Sequence, residues 1–202
     1  MKKVSLIAMM AIAALSFQAC NNGAKTGSAA DSTGTVKDTA DSANKVKDTT
    51  TTGATGIAVD KDDAKFATSA ANAGLAEVAL GQLANEKATD AKVKAFGAMM
   101  VTDHTKANNE LAEIAKKKNI ALPAEPDAEH QKKKTDLAAK TGADFDKDYV
   151  DAMVAGHKKV ESLFEDAAKN CKDADLKAFA EKTLPTIKGH LAEIEAIKKG
   201  MK

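Results

Sequence analysis

The sequence predicts an all-α protein whose folded part is an up-down four-helix bundle. Aromatic residues make up only 3% of the chain and Trp is absent, whereas apolar residues make up 44%. A core of Ala, Leu, Val, Ile and Met suits closely packed helices, because β-sandwich strands favour aromatic and β-branched residues. In addition, apolar residues recur at steps of three and four along most of residues 61–202, which is the period of a helical face.

The N-terminus has the pattern of an exported lipoprotein. Two lysines precede an apolar run over residues 4–17, which is too short for a comfortable membrane span. Ala19 and Cys20 follow, an arrangement that resembles a bacterial lipobox. We therefore expect residues 1–19 to be a signal peptide and Cys20 to be acylated. The alternative is an ordinary signal peptide that is cleaved near Ala19 and leaves a free thiol.

Residues 20–60 are predicted to be a flexible tether. This segment consists mainly of Thr, Ser, Gly, Ala, Asp and Lys, and its few large apolar residues are isolated. Such a segment cannot bury enough apolar surface to offset the entropy lost on ordering. The expected location is the cell envelope, with the domain held at the outer membrane by the lipid on Cys20 and facing the periplasm.

Four long helices and one short helix are predicted in residues 61–202. They comprise a helix over residues 62–88 capped by Asp62 or Asp63, a second capped by Asp90 and ended by the Lys116–Asn119 run, a short extra helix within 127–140, a third long helix over 144–170, and a fourth capped by Asp173. The short connections before the second and fourth long helices favour antiparallel neighbours. We expect both of these turns to lie at the same end of the bundle.

Four ionisable residues interrupt the apolar stripes of the long helices, one on each helix: Glu77, His104, His157 and His190. Counted from the two short turns at about 1.5 Å per residue, all four lie roughly 16 to 26 Å along the bundle. They are therefore expected to meet at one level of the core.

The composition of this set predicts one of two kinds of site. Three imidazoles and a carboxylate suit a transition metal such as Fe, Zn, Cu or Mn, and Glu161 and Glu193 could contribute further ligands. Alternatively, Glu77 hydrogen-bonds the histidines in a metal-free network that fixes the packing. Asp103 is expected either to orient a ligand or to lie at the surface, and His130 is expected at the surface.

Several segments together resemble the bacterial domain of unknown function 4142 (DUF4142) family. They are Phe66–Ala84 with Glu77, Met99–His104, Phe145-Asp146 with Tyr149, His157, and Leu184-Pro185 followed by His190. The resemblance implies an exported, ferritin-like helical domain, often found on lipoproteins, with no established activity. Ferritin-like di-iron sites need Glu three residues before His on two helices, but Val101, Val154 and Ile187 occupy those positions here. An oxidase or ferroxidase activity is therefore not expected.

Other function classes are disfavoured. The net charge is +1 and the chain has no Arg, so neither a general electrostatic attraction nor guanidinium contacts favour nucleic acid. No Ser- or Cys-based nucleophile motif, phosphate loop or cofactor fingerprint is present, so an enzyme ranks last. The sequence predicts a membrane-anchored lipoprotein with a ferritin-like helical domain of undefined activity, whose buried His/Glu cluster is a candidate transition-metal site. The alternative is a structural or protein-interaction module of the envelope.

Overall fold

The computed structural model of the protein describes residues 59–201. Within these residues the chain forms five α-helices and no strand: α1 (Lys61–Lys87), α2 (Ala91–Lys118), α3 (Ala128–Ala138), α4 (Gly142–Asn170) and α5 (Ala174–Gly200). The predicted all-α bundle with a short extra helix is confirmed. None of the described helices is both long enough and apolar enough to cross a membrane. The predicted signal peptide, Cys20 and the tether up to residue 58 lie outside the described residues.

Aspartates start three of the four long helices. Asp90 and Asp173 cap α2 and α5 as predicted, each accepting two backbone N–H groups of the first turn. The predicted cap of α1 is wrong: Asp60 is the N-cap, and its carboxylate accepts the backbone N–H of Asp62 at 2.9 Å. Asp63, one of the two predicted caps, is buried and binds another part of the chain.

Two helical hairpins, α1–α2 and α4–α5, make up the bundle, and each binds the turn of the other. Asp63 in the first turn of α1 accepts two backbone N–H groups of the α4–α5 turn, at 3.0 and 2.7 Å. Asp146, near the start of α4, accepts two from the α1–α2 turn, at 3.0 and 2.9 Å. Both aspartates are almost fully buried, at 3% and 2% exposure. Each hairpin therefore begins where the other one turns.

The two short turns consequently lie at opposite ends of the bundle, so the expectation that they share an end is wrong. Residues 119–141, which include α3, travel the length of the bundle between α2 and α4. This long connection lets α4 run in the same direction as α2. Within each hairpin the helices remain antiparallel, as their short turns require.

The hairpins also resemble each other in sequence. The stretch AKVKAFG at residues 91–97 corresponds to ADLKAFA at residues 174–180, and the same separation relates Asp63 to Asp146. The two hairpins are therefore related by an approximate twofold axis perpendicular to the bundle. Such an axis brings the midpoints of α1, α2, α4 and α5 together.

The core has two apolar clusters, one towards each end of the bundle. Phe96, Phe145 and Tyr149 belong to the cluster near the α1–α2 turn. Phe66 and Phe164, whose rings meet edge to face with centroids 5.2 Å apart, belong to the cluster near the α4–α5 turn. The four ionisable residues predicted to meet in the core lie between these two clusters, whereas the buried Asp63 and Asp146 lie at the turns.

Candidate metal centre

The structure brings all four predicted core residues together. Glu77 lies on α1, His104 on α2, His157 on α4 and His190 on α5, with exposures of 5%, 6%, 0% and 3%. The imidazole centroids are 5.3 to 6.0 Å apart. One ring nitrogen of each histidine lies within 4.8 Å of those of the other two. Three buried histidines from three helices can therefore hold a metal ion.

The Glu77 carboxylate lies between two of the rings. Its Oε2 atom is 2.9 Å from Nε2 of His104, and its Oε1 atom is 3.4 Å from Nδ1 of His157. Burial by itself raises the pKa of Glu77, but the attraction of the three histidines, that of His104 foremost, together outweighs burial and holds that pKa well below its usual range. Burial likewise lowers the pKa of His104, and the Glu77 carboxylate outweighs it and raises that pKa. The carboxylate is therefore ionised in the core at neutral pH.

His157 has its orientation fixed by its own helix. Its Nδ1 atom is 3.0 Å from the carbonyl oxygen of Met153, one turn earlier on α4. A carbonyl only accepts hydrogen bonds, so Nδ1 carries the proton and donates it. The lone pair is then on Nε2, which is buried and has no hydrogen-bond partner among the described residues.

His190 has the opposite arrangement. Its Nε2 atom is 3.0 Å from Oδ2 of Asp103, which lies on α2 next to His104. Because an ionised carboxylate only accepts, Nε2 donates and the lone pair is on Nδ1. Nδ1 is buried and likewise lacks a partner among the described residues. The sequence left two possibilities for Asp103, orienting a ligand or lying at the surface. The structure shows that Asp103 orients a histidine ring, which is that of His190 on another helix.

Four buried polar atoms of the cluster share the lack of a hydrogen-bond partner in the described part of the chain: Oε2 of Glu77, Nε2 of His104, Nε2 of His157 and Nδ1 of His190. Although Oε2 and Nε2 of the Glu77–His104 pair are close, they are not aligned for a hydrogen bond. Three points within 4.8 Å of one another have a centre at most about 2.8 Å from each, against about 2.0–2.1 Å for a Zn–N bond. For one nitrogen of each ring to reach that distance from a common centre, the rings would need to move inwards by less than about 1 Å.

The surroundings of the cluster are apolar and aromatic. The Phe96 ring lies 5.9 Å from the His157 ring and 6.3 Å from the His190 ring, centroid to centroid. The hydroxyl of Tyr149 is also buried without a hydrogen-bond partner among the described residues. Burial, reinforced by the charge of Glu77, raises the pKa of Tyr149, so this phenol is neutral. A buried setting of low polarity strengthens electrostatic interactions with a bound cation.

The two additional glutamates do not join the cluster. Glu193 is exposed on α5. Glu161 is partly exposed on α4, and its Oε1 atom lies 3.8 Å from Nζ of Lys188. The fourth histidine, His130, was predicted at the surface; it lies outside the cluster and is partly exposed, with Nδ1 2.7 Å from Oδ1 of Asp127 and its side chain 27% exposed.

Sequence reasoning missed the roles of Asp63 and Asp146, which fix how the two hairpins meet. Both were within reach of the sequence, because they occupy equivalent positions of the internal repeat. The contact between Asp103 and His190 left no such signal, since it joins two helices at positions that the repeat does not relate.

Comparisons with known proteins support the family and the fold. The family model described as "Domain of unknown function (DUF4142)" matches residues 48–197. The crystal structure of a DUF305 fragment from Deinococcus radiodurans is similar, with a TM-score of 0.62 and 9% sequence identity over 70% of this chain and 97% of that chain. At this identity the likeness concerns the fold alone. Among the curated proteins, none matches the sequence.

Proposed function

Because the chain belongs to the DUF4142 family, whose description names no activity, we propose its function from its own residues. The bundle binds one transition-metal ion through Glu77, His104, His157 and His190. The observation that carries this proposal is the set of four buried atoms without hydrogen-bond partners among the described residues, one from each long helix. A buried polar group without a partner costs about 1–3 kcal/mol. An ion between the three rings would satisfy one nitrogen of each, and the Glu77 carboxylate, 2.9 Å from Nε2 of His104, would complete its coordination.

The ligand atoms follow from the hydrogen bonds of the rings. His157 binds through Nε2 because Nδ1 donates to its own helix, and His190 binds through Nδ1 because Nε2 donates to Asp103. Nε2 of His104 and Oε2 of Glu77 complete the set. The carboxylates of Glu77 and Asp103 together balance the charge of a divalent cation. Metal-bound histidines commonly donate their second nitrogen in this way.

The donor set limits the kind of metal. Imidazole nitrogen suits Zn, Cu, Fe and Ni, whereas Mg and Ca take oxygen ligands. Three nitrogens and one oxygen therefore favour a first-row transition metal over the alkaline-earth ions. Among the metals expected from the sequence, the set fits Fe, Zn and Cu better than Mn, which prefers carboxylate and water ligands.

The internal repeat supports a single ion. The positions equivalent to the four ligands in the other hairpin are Val160, Ile187, Gly74 and Ala107. The long crossover between the hairpins is the connection found in ferritin-like bundles, and we propose that relationship here. Two-metal bundles of that kind take ligands in pairs related by symmetry, but here the symmetry-related set is apolar.

For the whole protein we propose a lipoprotein of the cell envelope. Residues 1–19 act as a signal peptide, Cys20 is acylated, and residues 20–60 tether a domain formed by residues 61–202 to the outer membrane on its periplasmic side. The residue pattern described above supports this proposal. Globomycin-sensitive processing and labelling with a radioactive fatty acid test it, and a Cys20→Ser variant that is still labelled would overturn it.

Metal analysis of the untagged protein tests the central proposal. After incubation with Zn²⁺ or Fe²⁺ and desalting, the protein is expected to retain about one ion per chain, and the His104→Ala/His157→Ala variant is expected to retain almost none. His130→Ala is the matched control, because it removes a histidine outside the cluster. Metal content that is equal in all three proteins, with helix content unchanged by circular dichroism, would overturn the proposal.

One observation favours a second candidate, a metal-free structural or interaction module. Glu77 and His104 lie close enough to form an ion pair on their own, and such a pair stabilises a buried carboxylate without metal. The two candidates differ in thermodynamic linkage. In a protein with a metal site, added ions raise the free energy of unfolding by about 2.7 kcal/mol at a concentration of one hundred times Kd. The melting temperature rises with it. A metal-free network leaves the melting temperature unchanged by added ions or chelator.

A further inference from the structure

A surface cleft between α2 and α5 reaches two of the proposed ligands. The cleft has a volume of about 150 Å³ and is lined by Asp103, His104, Glu110, Lys182, Thr186 and His190, among others. It therefore connects solvent with two of the three histidines.

A second groove approaches the cluster from the opposite side but reaches less of it. This groove runs between α1 and α4, where α3 contributes Glu129, His130 and Lys133 to its wall. It reaches Glu77 and none of the three clustered histidines. The α2–α5 cleft is thus the more direct path for an ion that must exchange water for imidazole.

Asp103 lies at the boundary between the cleft and the cluster. Its side chain is 38% exposed, whereas the His190 side chain to which it is bonded is 4% exposed. Two lysines line the same cleft: Lys182 is neutralised by Glu110, with Nζ 2.8 Å from Oε2, whereas Lys106 has no ion pair among the described residues. The Asp103 carboxylate therefore presents a negative charge to a cation in the cleft, 3.0 Å from Nε2 of the proposed ligand His190.

We propose that metal ions enter and leave through the α2–α5 cleft, and that Asp103 both binds the ion in transit and positions His190 for coordination. This inference rests on the proposed function and adds the route and a positioning residue. In transit the Asp103 carboxylate contacts the partly hydrated cation. In the bound state it accepts a hydrogen bond from Nε2–H of His190 and thereby keeps the Nδ1 lone pair turned to the metal.

The two roles of Asp103 are separated by two substitutions. Asp103→Asn removes the charge but keeps an oxygen that accepts from His190, so the association rate should fall about tenfold, while Kd should rise less than in Asp103→Ala. Asp103→Ala removes both roles and should weaken affinity about 10- to 100-fold. Asp148→Asn is the control, because Asp148 has a similar exposure of 39% and lies away from the cleft.

Stopped-flow absorption with Co²⁺ on the untagged protein measures these rates, and chelator competition measures dissociation. Thr186→Phe, which fills the cleft, should slow both rates, whereas Gly156→Phe in the α1–α4 groove should not. Unchanged rates in both Asp103→Asn and Thr186→Phe, or slowing by Gly156→Phe alone, would overturn the route. A wild-type protein that takes up no Co²⁺ would overturn the proposed function instead, so the two failures are distinguishable.

Discussion

Replacing Asp146 with alanine tests how the two hairpins are held together. The carboxylate is 2% exposed and accepts two backbone N–H groups of the α1–α2 turn, at 3.0 and 2.9 Å, together with the hydroxyl of Thr89. A hydrogen bond to a charged group contributes about 1.5–3 kcal/mol. Water can reach part of this turn after truncation, because Thr89 is exposed. We therefore expect Asp146→Ala to lower the free energy of unfolding by about 3 kcal/mol, near the bottom of the range for two bonds.

Urea and thermal denaturation followed by circular dichroism measure this loss. For a domain of this size, about 3 kcal/mol corresponds to a fall in Tm of about 10 °C. Asp146→Asn keeps one acceptor oxygen and should fall between the wild type and Asp146→Ala. Asp144→Ala is the control: it removes an exposed acid from the first turn of the same helix, two residues before Asp146, and should lose less than about 1 kcal/mol. Equal losses in Asp146→Ala and Asp144→Ala would refute the reasoning.

Three further outcomes are expected. In urea titrations, Gly97→Ala should destabilise the protein by about 1–3 kcal/mol, because the added Cβ would lie 2.8–2.9 Å from atoms of α1. Gly189→Ala should instead stabilise the protein by about 0.5–1 kcal/mol, because a Cβ at Gly189 meets nothing within 4 Å. Burial by itself raises the pKa of Asp173, but the ion pair with Lys118 lowers it overall. The stability that this ion pair contributes is present above about pH 4 and is lost as the pH falls through the lowered pKa. The difference in unfolding free energy between the wild type and Lys118→Met should therefore shrink in acid. Burial, with the charge of a nearby aspartate, raises the pKa of Cys171 to about 12, so in a variant whose only cysteine is Cys171 alkylation at pH 8 should be far slower in the native than in the unfolded protein.

The buried cluster could be predicted from sequence even though one premise of the prediction was wrong. The expected shared end of the two short turns placed His157 and His190 by counting from the wrong end of the bundle. The error did not matter because both residues lie near the middle of helices of 29 and 27 residues. A residue at the midpoint of a helix stays at mid-height whichever way that helix runs. The spacing of the apolar residues in each stripe predicted which face of each helix is buried, and the four residues lie on those faces.

Helix direction, in contrast, could not be derived from periodicity. It depends on which way the 119–141 connection travels, and that depends on the contacts of Asp63 and Asp146 with distant turns. These contacts span 109 and 57 sequence positions, and an aspartate near the start of a helix is ordinarily assigned a local capping or dipole role. Glu193 shows a limit of periodicity itself: a spacing of three residues from His190 allows a shared helical face, yet Glu193 lies on the solvent side of α5.

The reciprocal binding of turns by Asp63 and Asp146 has a consequence for the integrity of the chain. Neither hairpin can satisfy the backbone of its own turn, so each lacks part of its stabilisation until the other is present. A protease cut within the crossover would therefore leave a nicked heterodimer that stays associated, rather than two independent fragments. Separately synthesised halves should likewise reassemble with one-to-one stoichiometry, and a centre with ligands from both halves exists only after that reassembly.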